Sequence, residues 1–366
     1  MRLVTEYNMI LTPQHLKPIK LARYEFTLRA RTDAILPPFL GSTLRGSFGH
    51  ALKEVACSVP HGDCRRCLLV ERCAYPKIFE TSERKSDGLL NKGQQSPRPF
   101  VFVPPAPGPP SGLRARDDLL RWRMGMSAGM SLTFGLTRIG DAIADLPYVI
   151  YAIGLMAQKG FGADRAQFEL EQVGALDLEG KWQRVYSPGM ARVIEHPECY
   201  FSLQTLTEFR LAQLASERIP AVAAAAGSSK STRANQGVTL QFQSPTRLRI
   251  KGELLETPSF SQLVTSLSLR LSMVAANCSN ASLTYDYKRM VEQAKDVRAS
   301  NSTLRVMALD RYSNRQPGKL NLDGFVGQIS FSHPELTDFL PLLIAGEFLN
   351  VGSATAFGLG RYTVHQ

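Results

Sequence analysis

The chain has 366 residues and carries 43 Lys+Arg against 32 Asp+Glu, a formal net charge of +11. With 44% apolar and 20% charged residues it can bury a core, which excludes global disorder. No apolar run reaches the ~20 residues of a membrane span, so the basic surplus, 30 Arg to 13 Lys, points to a polyanion rather than a membrane.

The first residues hold Arg2 and Glu6 and no long apolar stretch, so no secretory leader is expected and the six cysteines should stay reduced. Tyr24, Phe26, Leu28 and Ala30 then alternate with Glu25, Thr27, Arg29 and Arg31, a period-two strand with a largely cationic outer face. Pro37-Pro38 ends it. A helix follows over 42–56, with Leu44, Phe48, Ala51, Leu52 and Val55 on one stripe. Residues 82–118 read as a Pro/Gly-rich loop broken by a short strand at 100–103. Strand-like sequence resumes at 130–137, and a helix fits 141–158, ended by Gly160-Phe161-Gly162. Another strand fits 166–173. An alanine run and Gly-Ser-Ser-Lys-Ser-Thr make 219–237 the linker.

The second half repeats this outline. Val238, Leu240 and Phe242 alternate with polar residues, and Leu248 and Ile250 alternate with Arg247, Arg249 and Lys251. A helix carries Phe260, Leu263, Val264, Leu267, Leu271 and Val274; a strand fits 325–331, a helix 334–349 with a kink at Pro341, and a last strand 361–365. Such internal symmetry argues for two βαββαβ units in tandem. The expected domains are 1–218, with a cysteine and Pro-rich insertion at about 57–118, then the 219–237 linker, then 238–366.

Four features carry chemistry. Cys57, Cys64, Cys67 and Cys73 fall within 17 residues, and four thiolates suit a tetrahedral structural zinc that leaves no open position for a catalytic water. His61 is an alternative outer ligand, and unliganded thiols are the competing reading. On the helix from Ser42, His50 lies off the apolar stripe near Lys53, with Gly46 and Gly49 on the same side. An imidazole there can take a proton from a 2′-hydroxyl, while Lys53 or Arg45 stabilises charge growing on a phosphate. Gly352, Gly358 and Gly360 leave backbone N–H groups bare beside Ser353 and Arg361, as a phosphate site requires, although a turn that needs glycine reads the same way. Between Lys288 and Lys319, Tyr312 stands beside Arg311 and Arg315, where a ring can stack on a base and also serve as a reserve proton-transfer group. With Arg29, Arg31, Arg247 and Arg249 on the opening strands, these residues would line one cationic cleft.

Leu44-Arg45-Gly46-Ser47-Phe48-Gly49-His50, Tyr75-Pro76-Lys77-Ile78-Phe79-Glu80, Ser244-Pro245-Thr246-Arg247, Asp310-Arg311-Tyr312-Ser313-Asn314-Arg315-Gln316 and Gly346-Glu347-Phe348 ahead of the glycine loop together resemble the CRISPR repeat-processing endoribonucleases of the RAMP superfamily. The resemblance runs from about residue 20 to the end. It implies an α+β chain of two ferredoxin-like (RRM-like) domains, cytoplasmic in a prokaryote; the cysteine spacing adds a small zinc-knuckle insertion in the first. It further implies a metal-independent cut in the repeat of CRISPR precursor RNA by 2′-hydroxyl attack, leaving a 2′,3′-cyclic phosphate and a 5′-hydroxyl. CRISPR effector-complex subunits are the implied protein partners. There is one departure: Asn350-Val351-Gly352-Ser353 stands where many members carry His-Val-Gly-Lys. An amide and a hydroxyl cannot supply the same acid, base or cation. The rival readings are a RAMP subunit that holds crRNA without cutting it, and a zinc-stabilised RNA binder unrelated to CRISPR.

Overall fold

The protein was analysed as a computed structural model, which describes residues 10–59, 63–80, 96–105, 123–225, 237–250, 252–313 and 318–366. β1 (Lys20–Ala30) runs through the middle of the first sheet, with Tyr24, Phe26, Leu28 and Ala30 buried on its apolar side. β2 (Ala34–Leu36) leads into α1 (Gly41–Ala56), which buries Leu44, Phe48, Ala51 and Leu52 against the sheet. α2 (Ala74–Ile78) is a short helix beyond the cysteine segment. β3 (Phe100–Val103), β4 (Met124–Met126), β5 (Ser131–Ile139), α3 (Leu146–Lys159), β6 (Phe168–Leu176), β7 (Trp182–Tyr186) and β8 (Tyr200–Ser202) follow. The sheet order is β3-β5-β1-β6-β7, with β8 also on β1 and β2 paired to β4 apart from it.

α4 (Leu203–Ala225) precedes the second sheet. β9 (Gly237–Thr246) is its central strand, and β10 (Arg249–Ile250) with β11 (Glu253–Leu254) forms a small hairpin. α5 (Phe260–Ser279) starts at a capping box: Ser259 accepts from the Gln262 N–H, while the Ser259 N–H donates 2.8 Å to Gln262 Oε1. α6 (Tyr287–Gln293), β12 (Arg298–Ser302), β13 (Arg305–Met307), β14 (Asp310–Ser313), β15 (Gly318–Asn321), β16 (Gly324–Ser332), α7 (Leu340–Leu349) and β17 (Tyr362–His365) complete the chain. The order here is β12-β16-β9-β17, with β13 also on β16. All named pairings are antiparallel, so the fold is mixed α+β.

Counted in chain order, the core strands of each sheet lie second, third, first, fourth, with a long helix and a short one after the first strand and one α-helix after the third. The two halves also share a core. Leu203, Leu206 and Leu214 of α4 pack with the second half, as do Leu21, Val101 and Ile139 of the first sheet. The expected linker therefore differs from the structure at its start: α4 continues to Ala225, and only 226–236 fall outside the described residues. Pro341 does not kink a helix. A 3₁₀ turn over Leu336–Phe339 ends, and Pro341 sits in the first turn of α7, where its missing N–H costs no hydrogen bond. Among the described residues, Gly140–Lys159 is long and apolar enough to cross a membrane by length and composition, and about half of it is buried inside the fold.

Candidate nucleic-acid interface

α1 presents its chemistry on the side turned from the sheet. His50 is exposed and Lys53, one turn on, is half-buried, its Nζ lying 5.8 Å from the Tyr75 ring centroid. Arg45 is held between aromatic rings, 4.4 Å from the centroid of Phe79 and 4.8 Å from that of Phe357. Glu54, the next turn after His50, pairs with Lys159 of α3. Gly49 is not part of the open face. It is buried under Phe79, whose ring occupies the space any side chain would need.

The arginines expected to line a cleft divide into two groups. On the first sheet, Arg29 pairs with Glu171, and Arg31 Nε donates 3.0 Å to Glu169, both partners coming from β6. These are solvent-exposed pairs, screened by water and salt, so a phosphate can exchange with the carboxylates at little cost. Arg249 is exposed and donates 2.6 Å to the Gly252 carbonyl. Arg247 differs from the expectation: β9 ends at Thr246, Arg247 is 7% exposed, and its guanidinium donates 2.7 Å to the Asp323 carbonyl. Burial lowers its pKa from the usual arginine value, with Arg249 adding repulsion and Asp323 opposing. Arg361 is half-buried with its pKa likewise lowered by burial. Arg311 and Tyr312 lie on β14; their side chains, and all of Arg315, fall outside the described residues.

The glycine loop between α7 and β17 differs most from its reading as a phosphate cradle. Several of its N–H groups are engaged within the chain, those of Gly358 and Gly360 among them: Val351 to Gly360 O at 3.0 Å, Ser353 to Arg247 O at 3.0 Å, Gly358 to Thr355 O at 2.8 Å, Gly360 to Pro245 O at 3.1 Å. The glycines answer to packing. Gly352, Gly358 and Gly360 all have positive φ, and a Cβ on Gly352 would come 2.5 Å from Arg247 O. One on Gly358 would come 2.6 Å from Phe102 O, in the other half of the molecule. The Ser353 hydroxyl donates 3.3 Å to Arg247 O, and the Asn350 amide donates 2.9 Å to Leu359 O. The backbone at Phe357 meets Gly41, so the loop docks on the start of α1.

Cys57, Cys64, Cys67 and Cys73 line one pocket with Val59, Val70 and Pro76. All four are free, half-buried thiols, and among the described residues no three Cys, His, Asp or Glu side chains are already gathered as a ligand set. His61 lies outside the described residues. Burial raises the Cys64 pKa from the usual thiol value, with Glu80 adding to the rise and Lys53 opposing it.

Two buried cations escape a reading based on surface charge. Arg270 of α5 sits among Leu263, Leu267, Leu271 and Val274 and donates to Leu349 O at 3.1 and 3.3 Å, holding the end of α7 where the glycine loop departs. Burial brings its pKa down to about 10. Arg138 ends the alternation Leu132, Phe134, Leu136 on the core side of β5, donates to Ala142 O, and is also brought down to about 10 by burial. In both cases the signal was an arginine in register with apolar residues.

Residues 240–362 match a family model described as CRISPR-associated endoribonuclease Cas6, and residues 18–198 match one described as an N-terminal domain. An uncharacterized protein of Archaeoglobus fulgidus is 30% identical over 129 residues, 35% of this chain and 37% of that protein, so the match spans little more than a third of the curated relative. Among solved structures, a chain of a partial Cas6-RT-Cas1–Cas2 complex aligns with a TM-score of 0.52 at 14% identity, over 94% of this chain and 46% of that one. A Thermus thermophilus Cas6 aligns with a TM-score of 0.48 at 15% identity, over 94% and 98% of the two chains.

Proposed function

Taking the chain as a member of the CRISPR-associated repeat-processing endoribonucleases, the family whose model its residues 240–362 match, we propose that it binds CRISPR precursor RNA and cuts it within the repeat. The observation that carries the cutting is the α1 face, where an exposed His50 stands one turn from Lys53 on a helix whose other side is locked into the core. His50 takes the proton from a ribose 2′-hydroxyl. The freed oxygen attacks the adjacent phosphorus, the bond to the 5′-oxygen breaks, and that oxygen takes a proton from water, so a 2′,3′-cyclic phosphate and a 5′-hydroxyl result. Lys53 offsets charge on the phosphate oxygens, with Tyr312 as the reserve proton-transfer group. No metal takes part in this step. Both sheets have the strand order of a ferredoxin-like unit, which supports a tandem ferredoxin-like reading in which RNA lies across the exposed arginines Arg29, Arg31 and Arg249. CRISPR effector subunits as partners and a cytoplasmic setting are part of this proposal.

The test incubates the full chain with repeat-containing RNA, adding EDTA only for the reaction, and identifies the product ends. A cyclic phosphate and 5′-hydroxyl are expected. The side chains of Asn350 and Ser353 are both spent on backbone carbonyls of the chain, which favours the second reading, a subunit that holds crRNA without cutting. Tight binding with no cut at stoichiometric protein selects that reading and removes the first.

A further inference from the structure

We propose that Cys57, Cys64, Cys67 and Cys73 form a structural zinc site that ties the end of α1 to the start of α2. The four thiols surround one pocket whose other walls are apolar, including Val70 and Pro76, with no carboxylate or imidazole among its lining residues. Local backbone brings them there. Cys57 caps the end of α1, with its N–H on Lys53 O at 2.9 Å. Cys64 opens a 3₁₀ turn, and the Cys67 N–H reaches back 3.4 Å to Cys64 O, the tight turn a Cys-x-x-Cys pair needs to face one ion. The Cys73 N–H returns 2.9 Å to Leu69 O, and Cys73 caps the start of α2.

Two of the thiol protons have makeshift acceptors: Cys57 Sγ points 3.1 Å to Val59 O and Cys73 Sγ 3.6 Å to Ala56 O. Zinc binding displaces these protons. Four thiols lose four protons and gain one Zn²⁺, giving a tetrathiolate of net charge −2. The tie matters because α2 and the turn after it are the floor of α1. Tyr75 lies under Lys53, Phe79 stacks on Arg45, and Gly49 is buried against Phe79. Zinc thereby fixes the seat of the helix that carries His50 without touching RNA, and the assignment stands whether or not the chain cuts RNA.

Elemental analysis of the full chain, purified without chelator, should find about one zinc per chain, and the Cys64→Ser/Cys67→Ser variant should carry less than about a tenth of that. Cys199→Ala and Cys278→Ala, at the isolated cysteines, should keep the metal. Should the double variant fail to fold, cobalt replacement in the unaltered chain decides. Thiolate-to-cobalt charge-transfer bands saturating at one equivalent support four-sulfur ligation. A folded chain that holds no zinc and takes up cobalt without those bands overturns the proposal, as does stoichiometric iron in place of zinc.

Discussion

On α1 and in the glycine loop, small residues and nearby cations look alike in the sequence, yet the structure uses them in opposite ways. α1 is locked on one side and open on the other: Phe48 and Leu52 are fully buried, while His50 between them is exposed. In the loop before β17, the backbone donors at Val351, Ser353, Gly358 and Gly360 are engaged inside the chain and the glycines make room for carbonyl oxygens. Glycine next to arginine is therefore ambiguous until the hydrogen bonds are counted. A loop that binds phosphate keeps its N–H groups unspent, whereas a loop that joins two halves spends them on its neighbours.

Substitutions in the two regions should separate cleanly. His50→Ala should lower the single-turnover cleavage rate by ~10²–10⁴, the usual reach of a general base, with RNA affinity and melting temperature unchanged. An equal loss of affinity or stability would place His50 in the scaffold and erase the contrast. Gly360→Ala should do the reverse. Its φ is +74° and a Cβ would strike Val351 O, so a loss of ~2–4 kcal/mol in urea unfolding is expected. Cleavage per folded molecule should persist.

Asn350→Ala probes the same loop more gently. Asn350 has φ +59° and is 3% exposed, and its amide is the partner of Leu359 O. Removing it leaves a buried carbonyl unpaired and puts alanine where asparagine is better tolerated, costing ~1–3 kcal/mol. Single-turnover rates at saturating RNA should match the unaltered protein below its melting range. A rate loss larger than the unfolded fraction explains would return the loop to the chemistry.

Periodicity made most of the core legible. The alternation at Tyr24 to Ala30 and at Val238 to Phe242 located both central strands, and the stripe around Phe48 located α1. α4 was hidden because its alanine-rich end reads equally as linker or helix, and only packing of Leu206 and Leu214 on the second half decides. The candidate site was half legible. His50 is exposed because the helical angle puts it off the apolar stripe, a local property. Arg247 is buried because the chain leaves β9 and turns in toward Asp323, a tertiary property that spacing does not carry.

The smallest effect expected is in the closed region and appears as a dependence of stability on pH. Glu347 of α7 accepts from the Val364 N–H of β17 and lies 3.4 Å from Arg210 Nε of α4, so one carboxyl joins three elements around the loop. Burial raises its pKa above the usual carboxylate value, with the Val364 N–H and Arg210 opposing. A carboxyl with a raised folded-state pKa binds more protons folded than unfolded. Its contribution is thus fully present below the unfolded value, near 4.5, and is lost as pH rises through the folded value. Glu347→Gln keeps an oxygen for Val364 and cannot ionise, so urea unfolding across that range should show a flatter dependence than the unaltered chain. An unchanged slope would mean that Arg210 holds Glu347 ionised throughout. The loop's clamp would then be a standing ion pair rather than a buried acid.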